Sequence, residues 1–243
     1  MGFFDLPRIP EPEVMDDSGE VEAYACAAGQ SHLEKIDDTF VEHALRLIGR
    51  RENGRALDIG TGPGQIVIKL ARRLPHWKFS GVDFSPAMIA QAGASLSSET
   101  PSLPGRVEFL IADGNRLDFP DGAFGLVMCN SVLHHLAEPR NLLAEISRVV
   151  KPAGAILLRD LRRPGRFAYP LHVRRHGRHY SGAMHKLYCD SVRAAYTVAE
   201  LQKLLAASPL QGARVFTHGA THIGLERAST STILPSVADA KIL

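Results

Sequence analysis

The stretch Arg55-Ala56-Leu57-Asp58-Ile59-Gly60-Thr61-Gly62-Pro63-Gly64-Gln65 runs an apolar segment into an acid and then into three glycines separated by single residues. This pattern predicts a strand that turns abruptly into a helix. Gly60, Gly62 and Gly64 allow a tight turn and let the backbone approach a ligand, while Pro63 is tolerated where a helix starts. We read the stretch as the floor of a nucleoside site that a bulky residue at Gly62 would occlude. A dinucleotide fingerprint needs G-x-G-x-x-G, and here Gln65 occupies the place of its last glycine, which disfavours a nicotinamide or flavin cofactor.

Working outward, Lys78 to Asp83 is a second apolar run ending in an acid, 19 residues beyond Gly64, about where such folds set a carboxylate on ribose hydroxyls. Phe109 to Gly114 gives a third run, ending at Asp113, and Phe124 to Asn130 a fourth with a polar end. Ligands of open parallel sheets bind beyond the carboxyl ends of the strands, near the point where strand order reverses, so all four tips can reach one ligand.

The ordered set resembles the class I S-adenosylmethionine-dependent methyltransferases, whose first motif is a strand and an acid followed by G-x-G-x-G. The resemblance covers residues 54 to 227. It implies an α/β, Rossmann-like three-layer sandwich with a seven-stranded, mostly parallel sheet carrying one antiparallel strand, and S-adenosylmethionine as cofactor. By the same resemblance Asp58 and Asn130 lie near the methionine moiety, Asp83 on the ribose and Asp113 by the adenine amine. Gly60, Thr61, Gly62, Gly64, Phe84, Met88 and Gly114 complete the expected cofactor contacts. Asn130-Ser131-Val132 is not the Asn-Pro-Pro-aromatic signature of base or glutamine methylation, and no Pro-Cys dipeptide supplies a pyrimidine-carbon nucleophile.

Length and composition bound the answer further. With 243 residues and 45% hydrophobic content the chain can bury one sizeable core. A net charge of +2 does not by itself argue for nucleic acid, and Cys26, Cys129 and Cys189 are too scattered for a disulfide framework or a zinc site. No stretch approaches the ~18 apolar residues of a membrane span, and no signal pattern opens the chain. These features predict a soluble, cytoplasmic protein with no membrane association; its oligomeric state is left open.

Residues 1–53 are read as a proline-bearing leader and helices that cover the cofactor site, with Tyr24 as a candidate substrate contact. An apolar stripe from Asp38 to Gly49 packs on the sheet as scaffold. Ser95 to Arg106 is expected to be a loop, and Lys151-Pro152-Ala153-Gly154 a turn into the fifth strand. Residues 228–243 form a loose tail.

Catalysis and acceptor recognition have fewer marks. His134 and His135 follow the fourth strand and face the acceptor; His135 or Asp160 is the candidate general base, and catalysis by alignment alone is the alternative. Adjacent helical residues point about 100° apart, so the two histidines are not expected to ligate one metal, and no metal is predicted. Between Leu161 and Tyr180 lie Arg162, Arg163, Arg166, Arg174, Arg175 and Arg178 with three histidines and no acid. This insert, residues 161–196, is expected to act as a lid whose arginines hold an anionic group. Arg174, Arg175, His176 and Tyr180 of the insert, with Arg159 and His134 outside it, are the candidate acceptor contacts. The expected activity is methyl transfer to an O, N or S atom of a small, anionic acceptor. RNA held by the basic insert is the alternative partner, and a non-catalytic binding module is the third reading.

Overall fold

A computed structural model of the protein describes residues 6–11, 31–99, 103 and 105–230. Seven strands, β1 (Gly54–Ile59), β2 (Trp77–Asp83), β3 (Val107–Ile111), β4 (Phe124–Asn130), β5 (Val150–Leu161), β6 (Arg214–His218) and β7 (His222–Arg227), form one sheet in the order β3-β2-β1-β4-β5-β7-β6. β7 alone runs antiparallel to its neighbours β5 and β6. Strand order reverses between β1 and β4, whose carboxyl ends therefore flank the crevice that the topology reserves for a ligand.

The central strands are apolar at nearly every position because both faces are covered. Leu57 and Ile59 of β1 share one core with Leu142, Leu143 and Ile146 of α4 (Arg140–Val149) and Leu201 of α7 (Val198–Ala206). Ala56, Leu126 and Met128 share the other with Phe40 and Ala44 of α1 (Ser31–Ile48) and Val67 and Leu70 of α2 (Gln65–Arg73). The period-2 alternation of a strand makes this division, sending successive side chains to opposite cores.

Local sequence sets the boundaries. α2 ends before Pro75, which cannot donate into a helix. α3 (Pro86–Ser97) begins with Ser85 Oγ accepting from Met88 N at 3.3 Å, and α7 with the Thr197–Glu200 capping box. The loop expected from Ser95 starts later, because α3 continues to Ser97. Lys151 to Gly154 is not a turn outside the sheet. It is an irregularity within β5, where Phe124 and Leu126 of β4 pair with Val150 and Ala155, so β5 carries extra residues across one step of the ladder. α1 begins at Ser31, ahead of the apolar stripe expected from Asp38.

Beyond β5 the insert folds as α5 (Tyr169–His176), a 3-10 turn (Gly177–His179) and α6 (Gly182–Ala194). Residues 6–11 lie against this layer: Ile9 N donates to Arg193 O at 3.2 Å, and Arg8 Nε to Ala194 O at 2.6 Å. Arg8 also reaches His134 O and Leu136 O and covers the Tyr196 ring at 4.2 Å. The segment from 18 to 30, with Tyr24 and Cys26, and the tail from 231 lie outside the described residues.

Candidate active site

A cavity of about 660 Å³ opens at the carboxyl ends of β1, β2 and β4 and extends under the insert. Its first half is the glycine turn. Gly60, Gly62 and Gly64 all have positive φ, at 70°, 54° and 80°. A Cβ on Gly60 would stand 2.3 Å from Val132 Cγ2, so β1 and the segment after β4 touch only because that side chain is absent.

Acids line and underlie this half. Asp83 accepts from Gly62 N at 2.8 Å through Oδ2 and from Ser85 N at 3.0 Å through Oδ1, which fixes its carboxylate at the cavity wall with lone pairs left over. Burial pushes its pKa up, against the backbone N–H groups of Ser85, Gly62 and Phe84. Asp58 is buried beneath the turn; its Oδ2 accepts from Thr61 Oγ1 at 2.9 Å, and its Oδ1 has no hydrogen-bond partner among the described residues. Burial pushes Asp58 up to about 7, with Asp83 and Asp37 adding to the rise. Asp37, half-buried on α1, is pushed by burial up to about 6. An orphaned acceptor on Asp58, repelled by Asp83 and Asp37, suits a cation, and the sulfonium and ammonium of S-adenosylmethionine supply positive charge. Met88 and Gly114 line the wall, and Phe84, 56% exposed, stands at its rim. Asp113 also lines it while accepting from Asn115 N at 2.8 Å.

The second half lies between the tip of β4 and the insert. Ser131, the single non-glycine residue with positive φ among the described residues, turns the chain into the 3-10 segment Leu133–His135. His134 and His135 both line the cavity, with ring centroids 4.1 Å apart. Asp160 does not line it. Its Oδ1 accepts from His134 Nδ1 at 2.6 Å and its Oδ2 from His134 N at 2.9 Å, so it orients His134 from behind. Burial alone would raise Asp160, but His134 holds it low; burial opposes the charge on His134, and Asp160 outweighs that and raises it. Asp160 is thus placed as a positioning residue, not as the base expected from its strand-end position. Glu11, in the proline-bearing leader, reaches within 3.7 Å of His134 Nε2 and 3.3 Å of His135 Nδ1.

The insert corrects the expectation of an arginine lid. Arg174 and Arg175 are exposed and absent from the cavity wall. Arg163 is buried, but it donates to Ala195 O at 2.5 Å and pairs with Glu200. Arg159 is 1% exposed and also absent from the wall; it donates to Asn130 Oδ1 at 3.1 Å, Thr39 Oγ1 at 2.8 Å and Ile36 O at 3.1 Å. It therefore ties β5 to α1 and holds Asn130, which does line the cavity. The insert presents Met184, Leu187, Tyr180 and Tyr188 instead, the two tyrosine rings 5.1 Å apart, and His176 beside them. Tyr188 Oη is buried without a hydrogen-bond partner among the described residues. His222, another wall residue, is pushed by burial down to about 3 and is neutral. Sequence reasoning missed Glu11, Asp37 and the apolar residues of α6, none of which belongs to a local motif.

Comparison with known proteins agrees with this geometry. A family profile described as a methyltransferase domain matches residues 56–154. Demethylmenaquinone methyltransferase of Thermus thermophilus is 35% identical over 117 residues, 48% of this chain and 51% of that protein. A ubiquinone/menaquinone biosynthesis C-methyltransferase of Geobacter sulfurreducens is 31% identical over 130 residues, 53% of this chain and 50% of the relative. The chain thus spans about half the length of these curated relatives. Phosphoethanolamine N-methyltransferase 2 of Haemonchus contortus, solved with S-adenosyl-L-methionine, shares the fold with a TM-score of 0.56 and 20% identity, covering 74% of this chain and 38% of its own.

Proposed function

We propose that this chain is a class I S-adenosylmethionine-dependent methyltransferase and moves a methyl group to a small, largely apolar and ring-bearing acceptor. One observation carries the reading: the acceptor half of the cavity is walled by Tyr180, Met184, Leu187 and Tyr188, while Arg174 and Arg175 stand outside it. Among the described residues Lys35 of α1 is the one Lys or Arg side chain of the wall, so an anionic acceptor beside α6 would leave its charge against apolar side chains at a cost that no arginine offsets. No helix among the described residues is long and apolar enough to cross a membrane.

S-adenosylmethionine supplies an activated methyl on a sulfonium, and the chain's own residues align the partners. Asp83 would hold the ribose hydroxyls, and Asp58 and Asp37 the positive charge. The main chain of the glycine turn would set the depth of the donor. Tyr180 and Tyr188 would orient a ring, leaving its polar group at His134 and His135, backed by Glu11, which can hydrogen-bond it or take its proton. Alignment of this kind accounts for roughly 7–11 kcal/mol of a barrier, so a separate base is not required. The C-methyltransferase among the curated relatives adds carbon to the O, N and S atoms that could accept the methyl.

Calorimetry with S-adenosylmethionine and S-adenosylhomocysteine tests the donor half. Asp83→Asn should weaken both by roughly 1–3 kcal/mol, because the ribose is deprived of a charged acceptor. Incubation of the chain with isotopically labelled donor and a cell extract, followed by mass spectrometry, tests the acceptor half. A labelled, organic-extractable small molecule is expected; label confined to RNA would overturn the acceptor reading, and no label in any fraction would overturn the enzymatic one.

A further inference from the structure

A cluster of potential ligand atoms stands behind the polar end of the cavity. Glu11 Oε2 lies 3.7 Å from His134 Nε2 and 3.3 Å from His135 Nδ1, and one ligand atom from each residue falls within 4.8 Å of the others. Two imidazoles from one 3-10 turn and one carboxylate from a distant segment converge on a small volume. We propose that Glu11, His134 and His135 form a site for a divalent transition-metal ion of zinc type, open to the cavity at its remaining position.

The spacings fit that chemistry. Zinc bonds His nitrogen and carboxylate oxygen at about 2.0–2.2 Å, and a tetrahedron with such bonds has edges on the order of 3.4 Å. The two Glu11 distances bracket that edge, while the three atoms together lie within 4.8 Å of one another, a spread that the side chains would narrow as an ion binds. The expectation that adjacent histidines cannot share a metal assumed that both stand on one α-helical turn. Here the pair lies in a 3-10 turn, with His134 presenting Nε2 and His135 presenting Nδ1.

The surroundings are those of a built site. Asp160 accepts from the far nitrogen of His134, which fixes the ring and leaves Nε2 as the ligating atom, the carboxylate–histidine arrangement that supports metal ligands elsewhere. Ser191 Oγ donates to Glu11 at 3.1 Å and so braces the carboxylate. The side chains are deeply placed, with His134 at 4% and Glu11 at 11% exposure, so a doubly charged cation would offset two acids, Glu11 and Asp160, that flank one histidine. Nitrogen and oxygen donors in this ratio favour zinc, cobalt, nickel or iron over magnesium or calcium.

The consequences are structural and chemical. An ion there clips residues 6–11 to the segment after β4 and so closes one side of the cavity. An ion held there would supply a Lewis acid that lowers the pKa of a hydroxyl or thiol placed at its open position. Metal binding does not depend on the identity of the acceptor, so it is measured apart from methyl transfer.

The test uses the full chain without an affinity tag, stripped by chelator and titrated with Co(II), followed by visible absorption and by competition with Zn(II). One equivalent bound, with ligand-field bands showing nitrogen and oxygen donors, is expected. Glu11→Gln and His135→Ala should each weaken binding by roughly 100-fold or more, and Asp160→Asn by roughly 10–100-fold, as removal of a supporting partner does. Circular dichroism and S-adenosylmethionine calorimetry on the same samples establish that the variants are folded. Absence of stoichiometric Co(II) and Zn(II) binding to the folded parent would overturn the proposal. Binding that survives both Glu11→Gln and His135→Ala would do so equally.

Discussion

The two halves of the cavity are built on opposite plans. The donor half comes from consecutive strand tips and the turn after β1, so a few residues of local sequence fix both its backbone and its chemistry. The acceptor half is assembled from residue 11, from 134 and 135, from α6 and from His222, segments far apart in the chain and related only through the sheet. A rigid, motif-encoded half can serve a common donor, while an assembled half can change its acceptor without disturbing the turn. The difference predicts that substitutions in the two halves fail in different ways.

The largest effect belongs to the turn. Gly60→Ala places a Cβ 2.3 Å from Val132 Cγ2, so that side chain must shift, and it does so at a residue with φ of 70°, a backbone angle that no side-chain rotation relieves. Donor affinity should fall by roughly 100-fold or more, the equivalent of about 3 kcal/mol, as the strand tips are pushed apart. Calorimetry reads the drop; near-parental affinity would show that the turn is not the donor's floor.

An intermediate effect tests whether the donor half is as local as its motif. Asp37, on α1 and outside every motif, is pushed up to about 6 by burial, and Asp58 up to about 7. Both acids have folded pKa values above their unfolded ones. Their contribution to the stability of the free protein is therefore greatest below about pH 4 and is lost as pH rises through 6 and 7. A cationic donor favours the ionised acids, so its affinity should climb by up to about tenfold per pH unit below pH 6 for each acid that must ionise. The donor-induced rise in melting temperature should grow from pH 5 to pH 8, and Asp37→Asn should flatten that growth. An unchanged slope in the variant would confine the donor's charge partners to the motif.

How much is legible in the sequence follows the same division. Gly60 to Gly64, Asp58 and Asp83 are legible because an apolar strand, an acid and a left-handed turn leave local traces. The antiparallel last strand is legible from the break at Gly219. Asp37 is not, since one acid ahead of an apolar stripe looks like a solvated helix start. Glu11 is not, because nothing in a proline-bearing leader shows that Arg8 and Ile9 dock it beside His134. Arg159 and Asp160 are placed at the right strand end by sequence but given the wrong reach. A position at a tip does not say whether a side chain turns into the cavity or, like the Arg159 guanidinium, back onto Thr39 and Ile36.

The smallest expected effect concerns the residues that sequence marks most loudly. Arg174 and Arg175 are exposed on α5, outside the cavity wall, so changing both to Ala should leave the donor Kd and the acceptor KM within about twofold of the parent. Leu187→Ala, inside the wall, should raise acceptor KM without moving donor affinity. If the double variant instead raises KM strongly, α5 must turn its basic face inward when acceptor binds, and the contrast between a charged exterior and an apolar interior fails. RNA would give a different signature. Every arginine–phosphate ion pair that the substitutions remove should reduce the slope of log affinity against log salt by roughly 0.7–0.9, an increment that a small apolar acceptor cannot produce. Titrating parent and double variant with bulk transfer RNA at two salt concentrations separates these outcomes. Weak binding with the same slope in both proteins supports an acceptor held by Tyr180, Leu187 and Tyr188; tight binding whose slope drops in the variant would make the outward arginines, not the cavity wall, the seat of specificity.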